Sequence, residues 1–157
     1  IAEKLRNIIL NKKNKISQLE EILMLMIARL NHINLVIKPA LNKGIIVISD
    51  RFVDSTFVYQ GYVNGFGIQK TKNLHKIILN NFLPHKTFLF ELDPKEIIKR
   101  LKKRKNKNKY DNQDIKFHRK ISKGYDKISK NQKRFIKIDA SRDKNQIHNN
   151  ILKILGL

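Results

Sequence analysis

The stretch IIVISDRFVDSTFVYQG, residues 45–61, decides how the rest of the chain is read. Its first five residues are apolar or small and mostly β-branched, the pattern of a strand buried on both faces of a parallel sheet. That strand ends in Asp50-Arg51. In open α/β sheets, ligands lie just beyond the carboxyl ends of the strands. A carboxylate and a guanidinium delivered there suit a phosphorylated ligand: the acid for a metal ion or its water shell, the Arg for a bidentate grip on phosphate. The plainer reading is an ion pair capping a strand end, which contributes little. The loop expected next mixes polar and aromatic residues (Thr56, Tyr59, Gln60), as the lining of a pocket for a flat heterocycle does. Packing of Tyr59 and turn-making by Gln60-Gly61 are the bland counterparts.

Two further strands are expected, over 87–92 and 135–139, with helical patterns filling the intervals. Strands separated by helices imply right-handed crossovers and a parallel sheet. A first helix is expected over 3–10. Ser17-x-x-Glu20 is a capping box opening a long helix to about residue 41, with Leu19, Ile22, Leu23, Met26, Leu30, Ile33 and Ile37 at helical spacing. A shorter helix is expected over 73–81. Asp93-Pro94-Lys95-Glu96 supplies an N-cap, a proline at the first helical position and an early acid for a helix to about 103. The last two helices are expected over 114–129 and 144–155. Residues 102–109, KKRKNKNK, form the one low-complexity stretch. No repeat is present.

Arg29 is odd on spacing alone. It stands i+7 from Ile22, i+3 from Met26 and i−4 from Ile33, so it shares a helix face with apolar residues. An Arg snorkelling along the edge of that face is one reading. A buried guanidinium satisfied by a ligand such as a pyrimidine carbonyl is the other.

At 157 residues the chain is expected to be a single domain, and at 41% hydrophobic it can bury a core. No apolar stretch of about 18 residues is expected to cross a membrane, and the first residues, IAEKLRN, do not resemble a signal peptide. Cysteine is absent, which excludes disulfides and Cys-bound metals and fits a reducing cytoplasm. The five His, at 32, 75, 85, 118 and 148, show no metal-ligand spacing and read as packing or surface residues. The charge of +21 raises the possibility of a basic RNA-associated protein. Against it, only 8 of the 34 basic residues are Arg, the base-reading type, and the lysines are spread over nearly every helix.

The segment 45–61 closely resembles the stretch of bacterial thymidylate kinases that carries their Asp-Arg-aromatic motif and the Ser-Thr and Tyr-Gln pairs after it. The resemblance extends in order along the chain. IAEKLRNIILN is similar to the stretch after that family's Arg-Glu-Pro-Gly-Gly-Thr loop, and RLNHINLVIKPALNKG to its long helix. LPHKTFLFELDP, FHRKISKGYDKIS and RFIKIDAS resemble its later strands and helices. The resemblance implies a P-loop-type three-layer α/β fold and transfer of the γ-phosphoryl of ATP to dTMP, with Mg2+, toward dTTP. It also implies a cytoplasmic enzyme that pairs as a homodimer through helices near 18–41. Another nucleoside or nucleoside-monophosphate kinase is the alternative within enzymes.

The family's phosphate loop, G-x-x-x-x-G-K-[ST], does not occur in these residues, and Gly numbers 6. The expectation is therefore an N-terminally incomplete kinase domain over 1–157, lacking its first strand and unable alone to turn over ATP.

By residue, the resemblance implies that Arg51 holds the dTMP phosphate while Asp50 organises the magnesium–water shell. It implies that Arg29 reads the thymine oxygen, that Thr56 and Gln60 reach the base, and that Tyr59 lies against sugar or base. It makes 102–112 a mobile lid whose Arg104 and Lys109 stabilise the transferring phosphoryl group with Arg100 nearby. The loop Asp139-Ala140-Ser141-Arg142 would flank the adenine of ATP, though an ordinary strand-to-helix connection reads almost as well. Three positions depart from the family pattern. Leu25 replaces the Phe that stacks on thymine, a contact worth roughly 1–3 kcal/mol per base in single-strand binders. Phe52 stands where Tyr or His is commoner, which removes a hydroxyl or ring nitrogen from the sugar side, and Asn64 replaces a frequent Arg.

Overall fold

The first hydrogen-bonded instruction in the chain is the Ser17 capping box. The Ser17 hydroxyl accepts from the Glu20 amide at 3.3 Å, and the Glu20 carboxylate accepts from the Ser17 amide at 2.7 Å. It follows α1 (Ala2–Leu10) and opens α2 (Gln18–His32). Helical winding continues through a π-helical segment, Ile33–Ile37, into α3 (Lys38–Asn42). Pro39 explains the wider turn. Proline lacks the amide that would bond the carbonyl four residues back, and its ring crowds that carbonyl. Winding to i→i−5 relieves both, and the Lys38 amide bonds the Ile33 carbonyl. Gly44, at φ 72°, then stops the helix: its amide bonds Leu41 O and the Ile45 amide bonds Ala40 O, a Schellman ending.

In this computed structural model, which describes residues 1–11, 13–102 and 113–157, the chain forms two compact units, Ile1–Leu83 and Pro84–Leu157. The first is helical. Ile22 and Met26 of α2 are fully buried, and Ile33 and Ile37 pack with Leu79 of α5 (Ile68–Leu79). The 25-residue run Gln18–Asn42 is long and apolar enough to pass for a membrane span by length and composition, correcting the expectation above. A core helix passes the same test, and its inward residues here are that core.

Two sequence expectations fail in this unit. Residues 45–49 form no strand, and none of the strands among the described residues pairs with them. Val47 packs on the Ile33–Ile37–Leu79 cluster, whereas Ile46 and Ile48 are 76% and 90% exposed. Composition favours a strand; pairing needs a neighbour. The expected loop after Arg51 is instead a helix, α4 (Val53–Thr56), continuing into a π-helical segment, Phe57–Val63. Val53, Phe57 and Val58 are buried, and Phe57 meets the His75 ring edge-on at 5.5 Å.

Gly61 shows how tightly this helix packs. A Cβ there would sit 2.9 Å from Thr71 Oγ1 and 3.3 Å from Ile68 Cα.

In the second unit, β1 (Thr87–Glu91) and β2 (Phe135–Asp139) form the parallel pair expected, in the register Thr87↔Phe135 to Glu91↔Asp139. Among the described residues the sheet has two strands rather than the three expected. Helices α6 (Pro94–Lys102), α7 (Ile115–Ser129) and α8 (Lys144–Leu155) lie within a residue of their expected spans, whereas α5 starts five residues before its expected start. Asp114 and Asp143 cap α7 and α8 through the amides of Phe117 and Asn145.

Candidate functional site

Spacing places Glu21, Leu25 and Arg29 at i, i+4 and i+8 on α2, one above another on a single face. Across from that face stand Thr56 and Gln60, themselves four apart. Two hydrogen bonds tie the helices together. Arg29 Nη2 donates to Thr56 Oγ1 at 3.1 Å, and Gln60 Nε2 donates to Glu21 Oε1 at 2.8 Å. Thr56 and Gln60 are 2% and 5% exposed, so both bonds are made away from bulk water. Leu25, half-buried, occupies the level between them.

The Arg29 guanidinium is the most constrained charge described. Burial lowers its pKa to about 10, and the nearby Asp54 carboxylate only partly restores it, so it stays protonated at neutral pH. Its centre lies 5.3 Å from the Phe52 ring. Its other terminal nitrogen, Nη1, is buried and makes no hydrogen bond. A buried donor left unmade costs about 1–3 kcal/mol, more on a charged group, and such an atom fits an acceptor supplied by a ligand.

Arg51 is held differently. Its backbone is left-handed, φ 64°, a region that strains a residue bearing Cβ by about 1–3 kcal/mol. Its Nε donates to Ser55 Oγ at 3.0 Å, and its guanidinium lies 4.5 Å from the Tyr59 ring centre. The Ser49 hydroxyl donates to its carbonyl at 3.2 Å. The turn thus directs this cation over Tyr59 instead of pairing it with exposed Asp50. Phe52, expected on the sugar side, packs edge-on against Phe82 at 6.4 Å and belongs to the Ile33–Ile37–Leu79 cluster.

In the second unit, the loop after β2 draws two expected residues together. Arg100 Nη2 donates to Ala140 O at 3.1 Å, and Arg142 Nε to Asp139 Oδ2 at 3.4 Å. Ser141 also binds Asp139, through its hydroxyl at 2.6 Å and its amide at 2.9 Å. Those bonds, and Arg142, hold the Asp139 carboxyl below its usual range. Arg104 and Lys109, and all of the expected lid beyond Lys102, lie outside the described residues.

The fold brings Arg29, Thr56 and Gln60 together and adds Glu21, which the sequence did not single out. The signal was present: Glu21 lies two helical turns before Arg29 on the same face. Nothing in the sequence marked the left-handed backbone of Arg51.

Parallel strands joined through helices in the second unit, and a helical first unit that carries the polar cluster of Arg29, Thr56 and Gln60, define an α/β protein. A family model described as thymidylate kinase matches residues 1–151. A thymidylate kinase of Mycoplasma capricolum subsp. capricolum is 42% identical over 99% of this chain and 75% of its own length. One from Thermoanaerobacter sp. is 37% identical, and one from Bacillus velezensis 35%, each over 99% of this chain and 76% of the relative. The chain belongs to the thymidylate kinase family. Membership implies the P-loop NTPase type of α/β fold.

Proposed function

We propose that the protein transfers the γ-phosphoryl group of ATP to dTMP, giving dTDP and ADP, as one nucleoside-monophosphate kinase domain over 1–157. The observation that carries the pyrimidine half is the unpartnered Nη1 of buried Arg29 beside Thr56 and Gln60. A thymine O4 accepting from Arg29 satisfies that donor, and Gln60 meets the ring nitrogen beside it. Leu25 supplies an apolar surface in place of a stacked ring. Arg51, presented over Tyr59, takes the 5′-phosphate through charge-assisted hydrogen bonds. Arg100 and Arg142, at the loop ending β2, serve the ATP side, and Arg104 and Lys109 offset charge on the moving phosphoryl group.

Among the described residues, no cluster of three His, Cys, Asp or Glu side chains could cage a metal ion. Mg2+ would be carried on ATP, with Asp50 holding it through water, and would supply charge neutralisation at the phosphates. The protein's own work is positioning, holding acceptor and donor in line.

Leu19, Ile27, Leu35 and Val36 expose apolar surface along the Gln18–Asn42 run, which supports pairing with a second copy through this helix. The enzyme is taken to act in the cytoplasm.

Phosphoryl transfer by the full-length protein to a panel of nucleoside monophosphates tests the reading. Turnover highest with dTMP is expected; preference for another monophosphate defeats it. Tight, salt-sensitive RNA binding without nucleotide preference would favour the RNA-associated alternative.

A further inference from the structure

We infer that Glu21 is a positioning residue that sets base specificity by fixing which way the Gln60 amide faces. The inference rests on the dTMP reading above and adds to it a residue that does not touch the nucleotide.

A side-chain amide has two ends of opposite hydrogen-bonding sense, an accepting oxygen and a donating NH2. A free glutamine turns over and serves either kind of base edge. Gln60 is not free. A carboxylate only accepts, so Glu21 binds the NH2 end, as the 2.8 Å contact from Nε2 shows. Turning the amide over would set its oxygen against the Glu21 oxygens at hydrogen-bonding distance, in a setting where Gln60 is 5% exposed and water cannot relieve the repulsion.

The amide oxygen is therefore left for the ligand. An acceptor in this position matches the N3–H donor of thymine or uracil and repels N3 of cytosine, itself an acceptor. Sites built on such placed polar groups reject the wrong partner because a mismatch leaves buried groups unpaired. Arg29, a donor toward the C4 substituent, applies the same discrimination one atom further round the ring. Glu21 and Arg29 act from one face of α2, with Leu25 between them.

The test is the ratio of dissociation constants for dCMP and dTMP, measured by titration calorimetry. In the wild-type protein dTMP is expected to bind much more tightly. If it does not, the reading under Proposed function fails before Glu21 is reached. Glu21→Gln keeps size and removes the charge, so the Gln60 amide can adopt either orientation. The ratio is then expected to fall about tenfold or more while the protein melts cooperatively. Glu21→Ala, which introduces no competing polar group, is the second variant and should shift the ratio in the same direction. Glu21→Asp keeps the carboxylate and should retain most of the discrimination. A merely structural role weakens both nucleotides together and leaves the ratio unmoved. Ratios within twofold of wild type in a folded Glu21→Gln or Glu21→Ala protein overturn the inference.

Discussion

Arg29 donates to Thr56 across 27 residues of sequence and keeps a second terminal nitrogen buried with no partner. That combination separates binding from stability. Arg29→Met removes a buried charge and its orphan donor while retaining much of the side chain's apolar bulk. The dissociation constant for dTMP should rise about 10- to 100-fold, the loss of a charge-assisted hydrogen bond. The melting temperature should hold steady or rise. A variant that loses both binding and several degrees of stability would show that Arg29 is chiefly a strut.

Arg51 carries strain that a glycine would not. Arg51→Gly relaxes the left-handed backbone, so thermal stability should increase by about 1 kcal/mol, whereas Arg51→Ala keeps the strain. Both should lose affinity for dTMP far more than for unphosphorylated thymidine. Equal losses for the two ligands would place Arg51 away from the phosphate.

Gly61 is fixed by proximity. Gly61→Ala forces its methyl against Thr71 Oγ1 and Ile68 Cα, and overpacking of this kind costs about 1–3 kcal/mol in a denaturant titration. Adding Thr71→Ala removes the nearer clash and should recover part of the loss in a double-mutant cycle. Full additivity would mean that the helix simply shifts to accommodate the methyl.

The capping box predicts a pH dependence. Hydrogen bonds from the Ser17 hydroxyl side and the Ser17 amide lower the Glu20 pKa. A depressed folded-state carboxyl contributes stability above its unfolded value, about 4.3, and that contribution is lost as pH falls through the lower folded value. Melting temperature recorded downward from pH 6 should therefore decline less steeply in Glu20→Gln than in wild type. Parallel curves would dissociate Glu20 from the acid limb.

The strands 87–91 and 135–139 were legible because each is a short apolar run with a neighbour to pair with, and the register follows once they lie side by side. Residues 45–49 share that composition, yet Val47 alone packs on a core cluster and no described strand pairs with the segment. Composition reports burial preference and says nothing of who is adjacent. The helix over 53–63 was hidden for the opposite reason. Val53, Asp54, Thr56, Phe57, Val58, Gln60 and Gly61 are all buried, so no polar face betrays the helical period. Propensity also misled, since β-branched and aromatic residues were overruled by packing against α2 and α5. Of the candidate site, spacing marked Arg29, while Thr56 and Gln60 were singled out by residue type together with the family resemblance. The Glu21 bond and the Arg51 backbone needed three dimensions.

The outward isoleucines at 46 and 48 leave a lasting vulnerability. Exposed β-branched side chains of this kind favour association between molecules, especially on heating. Lys43 on one side and Asp50 with Arg51 on the other stand as charged gatekeepers at the two ends of the stretch. Charge at both ends of so apolar a segment disfavours that association, a duty separate from any contact with a ligand.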